Sequence, residues 1–207
     1  LELIKELQPT EGEIHRRSLN LPADKVLICI GYNYNSNQQH AAIIGDLSKN
    51  TELLKVSDRI HFIFPLTYGT EEKHKEKILA RLQTFPFSFT AFTEFLDATR
   101  NAALRLSTDM MIQLQSNDQL SGAMQEHLYA GSVVITGNWL PYQVLRDLGV
   151  YFIGIDHLTD IGETLVTCLE NLDQEKIQCK NNPEIIYDTS SWNNTINSWI
   201  KLYSKQM

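Results

Sequence analysis

The feature that most constrains this 207-residue chain is an alternation of short apolar runs with longer stretches of helical period. The apolar runs occupy residues 26–31, 60–66, 87–90, 110–114, 133–136 and 151–155. Between and after them, helical periodicity spans 38–49, 71–83, 93–106, 119–130, 141–148 and 161–171. Nearly continuous apolar strands need cover on both faces, which is the condition of a parallel sheet wrapped by helices. Right-handed crossovers then predict an α/β fold, a Rossmann-like doubly wound parallel sheet of about six strands. Residues 21–172 would form that body, with 1–20 a linker or short helix and 173–207 a helical tail. The tail carries Trp192, Trp199 and Tyr203, whose spacings of seven and four put the rings on one helical face. That face is expected to pack on the sheet or against a missing neighbour.

The charge of −7, with acids and bases interspersed, offers no basic stripe to track a phosphate backbone, so nucleic acid is not an expected partner. Cys29, Cys168 and Cys179 lie far apart without metal-ligand spacing, and no paired-aspartate metal motif occurs, so neither metal nor cofactor is expected. No apolar stretch approaches the ~18 residues of a membrane span, and no signal peptide is visible. The expectation is a cytoplasmic protein, attached to the inner membrane at most peripherally through a longer parent. The non-Met start LELIKELQP points to such a parent. Asn193-Asn194-Thr195 matches a glycosylation acceptor but falls in a helical segment.

Ligands of open parallel sheets bind beyond the carboxyl ends of the strands, so the loops there carry the candidate site. The first, GYNYNSNQQH at 31–40, lacks the glycine spacing of a dinucleotide fingerprint and the Lys-Ser or Lys-Thr of a phosphate loop. Its polar side chains suit sugar hydroxyls or an acceptor, with Asn33 and Asn35 as candidate contacts, Asn35 or Ser36 as the helix cap, and His40 placed to meet a leaving phosphate. The second strand ends in PLTYG at 65–69, where Gly69 eases the turn, Tyr68 projects from the same edge, and Thr70 is expected to cap a helix holding Lys73.

The segment DQLSGAMQEHLYAGSVVITGNW at 118–139 combines an acid, a helix start, a second acid, Ala-Gly and a β-branched run. On one helix, eight residues would rotate Asp118 and Glu126 roughly 80° apart with a rise of about 12 Å. The two acids can flank one ligand if Asp118 lies in the loop before the helix. The amides of Ser121, Gly122 and Ala123 would then face a phosphate, and Glu126 could accept two hydrogen bonds from a vicinal diol. Asn138 follows at the next strand end.

These residues resemble the carboxyl-terminal, nucleotide-sugar-binding half of GT-B glycosyltransferases, in which two acids separated by seven residues precede a Gly and an apolar strand. GYNYNSNQQH and PLTYG are similar to the bacterial 4-acetamido-4,6-dideoxygalactose transferase branch. The resemblance covers residues 25–170. It implies that Asp118 meets the donor sugar and Glu126 the ribose of a nucleoside diphosphate sugar. It also implies a hexosyl transfer to a glycan, lipid-linked or protein acceptor held by an amino-terminal half. Asp118 is one methylene shorter than the usual Glu. The Arg and Lys that such enzymes place beside the diphosphate are absent from the first two strand ends, leaving Lys73, Arg100 and His40 as the nearest cations. That absence favours a second reading, a noncatalytic glycosyltransferase-like partner or chaperone subunit. A third is a nucleotide-sugar epimerase, which would isomerise donor without acceptor.

Overall fold

The structure, a computed structural model, describes residues 1–8 and 10–204; residues 205–207 of the expected tail lie outside them. The strands are β1 (Val26–Ile30), β2 (Ile60–Pro65), β3 (Phe89–Phe92), β4 (Met110–Gln113), β5 (Val133–Gly137) and β6 (Ile153–Ile155). They form one six-stranded sheet in the order β3-β2-β1-β4-β5-β6, parallel at every pairing. This is the doubly wound order in which sequential progress reverses between β1 and β4, opening a crevice at their carboxyl ends.

The strands are buried on both sides because successive residues point to opposite faces. Ile28, Ile30, Phe62, Phe64, Met110, Ile112, Val133 and Ile135 share one face. It is covered by α3 (His40–Leu47), α4 (Thr51–Lys55), α5 (Glu72–Leu82) and α9 (Ile161–Glu170). Leu27, Ile63, Met111 and Val134 serve the other face. There α6 (Ala98–Ser107), α7 (Gly122–Tyr129), α8 (Gln143–Asp147) and α11 (Asn182–Ser190) pack, joined by α1 (Glu2–Leu7) and α2 (Gly12–Ser18). Residues 1–20 thus contain two short helices that pack on α6, with Ile4 and Leu19 each 3% exposed. Beside the sheet, Phe62, Phe64, Phe85 and Phe87 meet with centroid separations of 5.1–5.8 Å. Each buried ring stabilises the fold by about 1.5–3 kcal/mol.

Several local expectations shift. α4 was not foreseen; Asn50 caps it by accepting from Leu53 N at 2.9 Å. The third strand starts at Phe89 because Phe85 and Phe87 turn into the aromatic cluster before the ladder begins. α6 starts five residues later than its periodicity suggests, because Asp97 accepts from Arg100 N at 2.8 Å and caps it. Neither Asn35 nor Ser36 caps α3: Ser36–Gln38 form a 3-10 turn, and α3 follows Gln39, whose φ is 58°. Nor does Thr70 cap α5; its amide and hydroxyl go to Asn35 Oδ1, at 2.9 and 3.3 Å. α10 (Leu172–Gln178) and α12 (Trp192–Ser204) complete the tail. α12 packs on α11 rather than on the sheet, and its aromatic face is open, Trp192 63%, Trp199 48% and Tyr203 63% exposed.

Candidate functional site

At the crevice between β1 and β4 the facing loops are laced together. Asn37 donates to Gln115 Oε1 at 2.5 Å, Gln39 to the Leu114 carbonyl at 2.7 Å, and the Ser116 amide to the Asn37 carbonyl at 2.8 Å. The open volume therefore lies to one side, on the face of α6 and α7, as a cleft of about 510 Å³. Its size falls in the range of small-molecule sites. Tyr32 and Tyr68 enter it from the loops after β1 and β2, and Ala98, Asn101, Ala102 and Arg105 from α6. Gly122, Ala123 and Glu126 enter from α7, while Leu1 and, from α1, Leu3 and Ile4 wall the remaining side.

Of the expected donor-binding residues, Gly122, Ala123 and Glu126 line this cleft. Ser121 is the cap of α7: its hydroxyl accepts from Met124 N at 3.3 Å, so the helix begins at Gly122, and its first amides have no partner within the helix. Glu126 Oε2 accepts from Arg105 Nε at 3.1 Å; the Arg105 side chain is only 7% exposed and that of Glu126 is 38% exposed. Among the described residues, Glu126 Oε1 has no protein donor and Arg105 Nη1 is buried without a partner.

Asp118 does lie in the loop before α7, yet it is not part of the cleft lining. Its Oδ2 accepts from Gln113 at 2.9 Å, Gln115 at 2.8 Å and Tyr142 at 2.6 Å, and its Oδ1 from the Gln119 amide at 2.8 Å. This carboxylate is turned inward, and burial followed by Asp118 raises the pKa of the Tyr142 hydroxyl. Gln115 also donates to Tyr32 Oη at 3.0 Å, so the network reaches the cleft through a tyrosine.

The remaining candidates scatter. Tyr68, half-exposed, lines the cleft, and burial raises its pKa. Asn33 is buried, its Oδ1 accepting from the Asn35 amide at 2.9 Å. Asn35 ties the first two loops through Thr70. Asn138 donates to Asp156 at 2.8 Å, between the ends of β5 and β6. Lys73 and Arg100 are exposed and do not line the cleft. His40 is fully buried and presents no face to a phosphate; its ring packs 6.3 Å from Phe64. Burial, and secondarily His74, push its pKa down to about 4, against a smaller opposing pull from the backbone of Ile30. Gly31, at φ 62°, makes room for this arrangement: a Cβ there would stand 2.5 Å from Gln38 Oε1 and 3.3 Å from His40 Nε2.

Arg105 is the residue that sequence reasoning passed over. Its signal was present, a charged side chain on the same helical face as Ala98, Asn101 and Ala102, where only small or neutral residues otherwise stand.

No family model matches the chain, and no curated protein matches it in sequence. Solved structures do match. A Rickettsia africae glycosyltransferase superposes with a TM-score of 0.75 at 13% identity over 95% of this chain and 52% of its own. Anabaena HepE, crystallised with UDP and glucose, gives 0.76 at 13% over 96% and 53%. The C-terminal domain of a Francisella tularensis group 1 glycosyl transferase gives 0.60 at 11% over 87% and 93%. What the chain shares with these glycosyltransferase structures is the fold, a Rossmann-like parallel sheet followed by a carboxyl-terminal helix. The chain spans about half the length of the first two of these structures. Among the described residues, no helix is long and apolar enough to cross a membrane.

Proposed function

We propose that this glycosyltransferase-like domain binds a nucleoside diphosphate sugar in the cleft between α6 and α7. The observation that carries the reading is the Arg105–Glu126 pair beside the first turn of α7. A carboxylate with a free oxygen suits a ribose hydroxyl, and unpaired amides at a helix start suit a phosphate. Anabaena HepE, of the same fold, is described with UDP, with UDP-glucose, and with UDP and glucose. In this proposal Glu126 accepts from the ribose and the Gly122 and Ala123 amides face the diphosphate. Asp118 acts one layer behind, holding Gln115 and thereby Tyr32. The chemistry would be hexosyl transfer to a glycan, lipid-linked or protein acceptor presented by a further half of a longer, cytoplasmic chain. The 4-acetamido-4,6-dideoxygalactose transferase branch is the proposed neighbourhood within that class. Residues 21–172 would be the donor-binding body and 173–207 the tail.

Glu126→Ala should lower nucleoside diphosphate affinity by about 1–3 kcal/mol, the range for hydrogen bonds involving a charged group. Calorimetric titration checks this, and unchanged affinity would count against the assignment. One observation favours the noncatalytic partner as a second reading: among the described residues lining the cleft, Arg105 is the sole cationic side chain, and its Nε is paired with Glu126. Donor binding by the full-length parent without transfer or donor hydrolysis would decide for that role.

A further inference from the structure

We propose that Arg105 is the anion-recognition residue of this cleft, a guanidinium delivered from α6 rather than from the loop after β1. It orients Glu126 through Nε and offers its unpaired N–H groups to the diphosphate of the ligand. The assignment rests on the donor-site reading above and adds to it the residue that meets the negative charge.

A guanidinium carries five N–H donors in a fixed planar fork and remains charged in proteins. Here the side chain is 7% exposed, one contact at 3.1 Å joins Nε to Glu126, and Nη1 is buried without an acceptor among the described residues. A buried cation so sparsely paired is costly, and the missing acceptors mark where another oxygen is wanted. Arg105 lines the same cleft as Gly122 and Ala123, so the guanidinium and the start of α7 border one ligand volume. Above it on α6, Ala98, Asn101 and Ala102 are small enough to leave that approach open. Lys73 and Arg100 are exposed outside the cleft, and Lys75 bonds Glu72 at 3.0 Å with its ammonium 5.3 Å from the Tyr34 ring. His40 is sealed in the core.

The division of labour is testable because the two halves of the pair recognise different parts of a nucleotide. The 207-residue chain is titrated with UDP, ADP, GDP and dTDP and with the matching nucleosides, and the ratio of diphosphate to nucleoside affinity is taken for the tightest pair. Arg105→Gln should lower that ratio by roughly tenfold or more and flatten its dependence on ionic strength, while Arg105→Lys restores part of it. Glu126→Gln should weaken the nucleoside and raise the ratio, because the guanidinium loses its neutralising carboxylate. An unchanged ratio in a folded Arg105→Gln protein overturns the assignment while leaving the donor site standing. Should that variant fail to fold, Glu126→Gln decides alone: a raised ratio supports the assignment and an unchanged one overturns it. A wild-type chain that binds none of the four diphosphates overturns the donor-site reading and this inference with it.

Discussion

Asp118 and Glu126 are two carboxylates with seven residues between them, and their environments give them different work. Asp118 Oδ2 is the shared acceptor of Gln113, Gln115 and Tyr142, residues that are 0%, 1% and 2% exposed. Removing it leaves three buried donors without that acceptor, and an unsatisfied buried polar group costs more than the bond contributed. Asp118→Ala should therefore destabilise the chain by about 1–3 kcal/mol in urea unfolding. Its nucleotide affinity should fall by less than that of Glu126→Ala. A variant as stable as wild type would show that the network is not structural. Glu126 is the opposite case, half-exposed and with one oxygen free, so its loss should register in binding more than in stability.

Among the elements, α6 and α12 differ in what their faces meet. α6 carries Arg105 to the cleft, and its start is set by Asp97, whose side chain accepts from Arg100 N at 2.8 Å. Asp97→Ala should cost about 0.5–2 kcal/mol, the usual range for a lost amino-terminal cap, measured as a lower midpoint of thermal unfolding. α12 has no buried residue; Trp199 and Tyr203 stack on each other at 6.3 Å, half or more in solvent. Trp199→Ala should shift stability by no more than about 0.5 kcal/mol, as for surface positions generally. A large loss would mean that this face packs on something in solution. The neighbouring α11 behaves as a core element, with Ile186 fully buried and Tyr187 5.7 Å from Tyr129 of α7.

For the molecule as a whole, buried histidines contribute to the response to acid. Burial first, then neighbouring positive groups, hold His40 and His61 down to about 4 and push His127 well below its ordinary value. These rings fold uncharged, whereas in the unfolded chain they protonate near pH ~6.5. Their contribution to stability is thus full above pH ~6.5 and is lost as pH falls toward 4. The unfolding midpoint should be flat just above neutrality and decline steadily between those limits. His61→Gln should make the decline shallower, since among the described residues its ring nitrogens bond the Ser88 and Thr90 hydroxyls, at 3.1 and 2.9 Å, and Lys25 opposes its protonation. An unchanged slope would remove His61 from the account.

The sheet was legible in the chain because burial on both faces imposes unbroken apolar runs, and runs separated by helices admit few parallel topologies. The fate of Glu126 was legible in part, since the order of acid, helix start and acid already put it near a helix amino terminus. What no local pattern contained was partnership. Arg105 and Glu126 lie 21 residues apart on different helices, and Asp118 meets Tyr142 across 24. Such pairs depend on how the α6 and α7 crossovers lie against β1 and β4, which is a property of packing rather than of periodicity. The same packing turned Asp118 inward, sealed His40 behind Gly31, and brought to the cleft a cation that the loop after β1 does not supply.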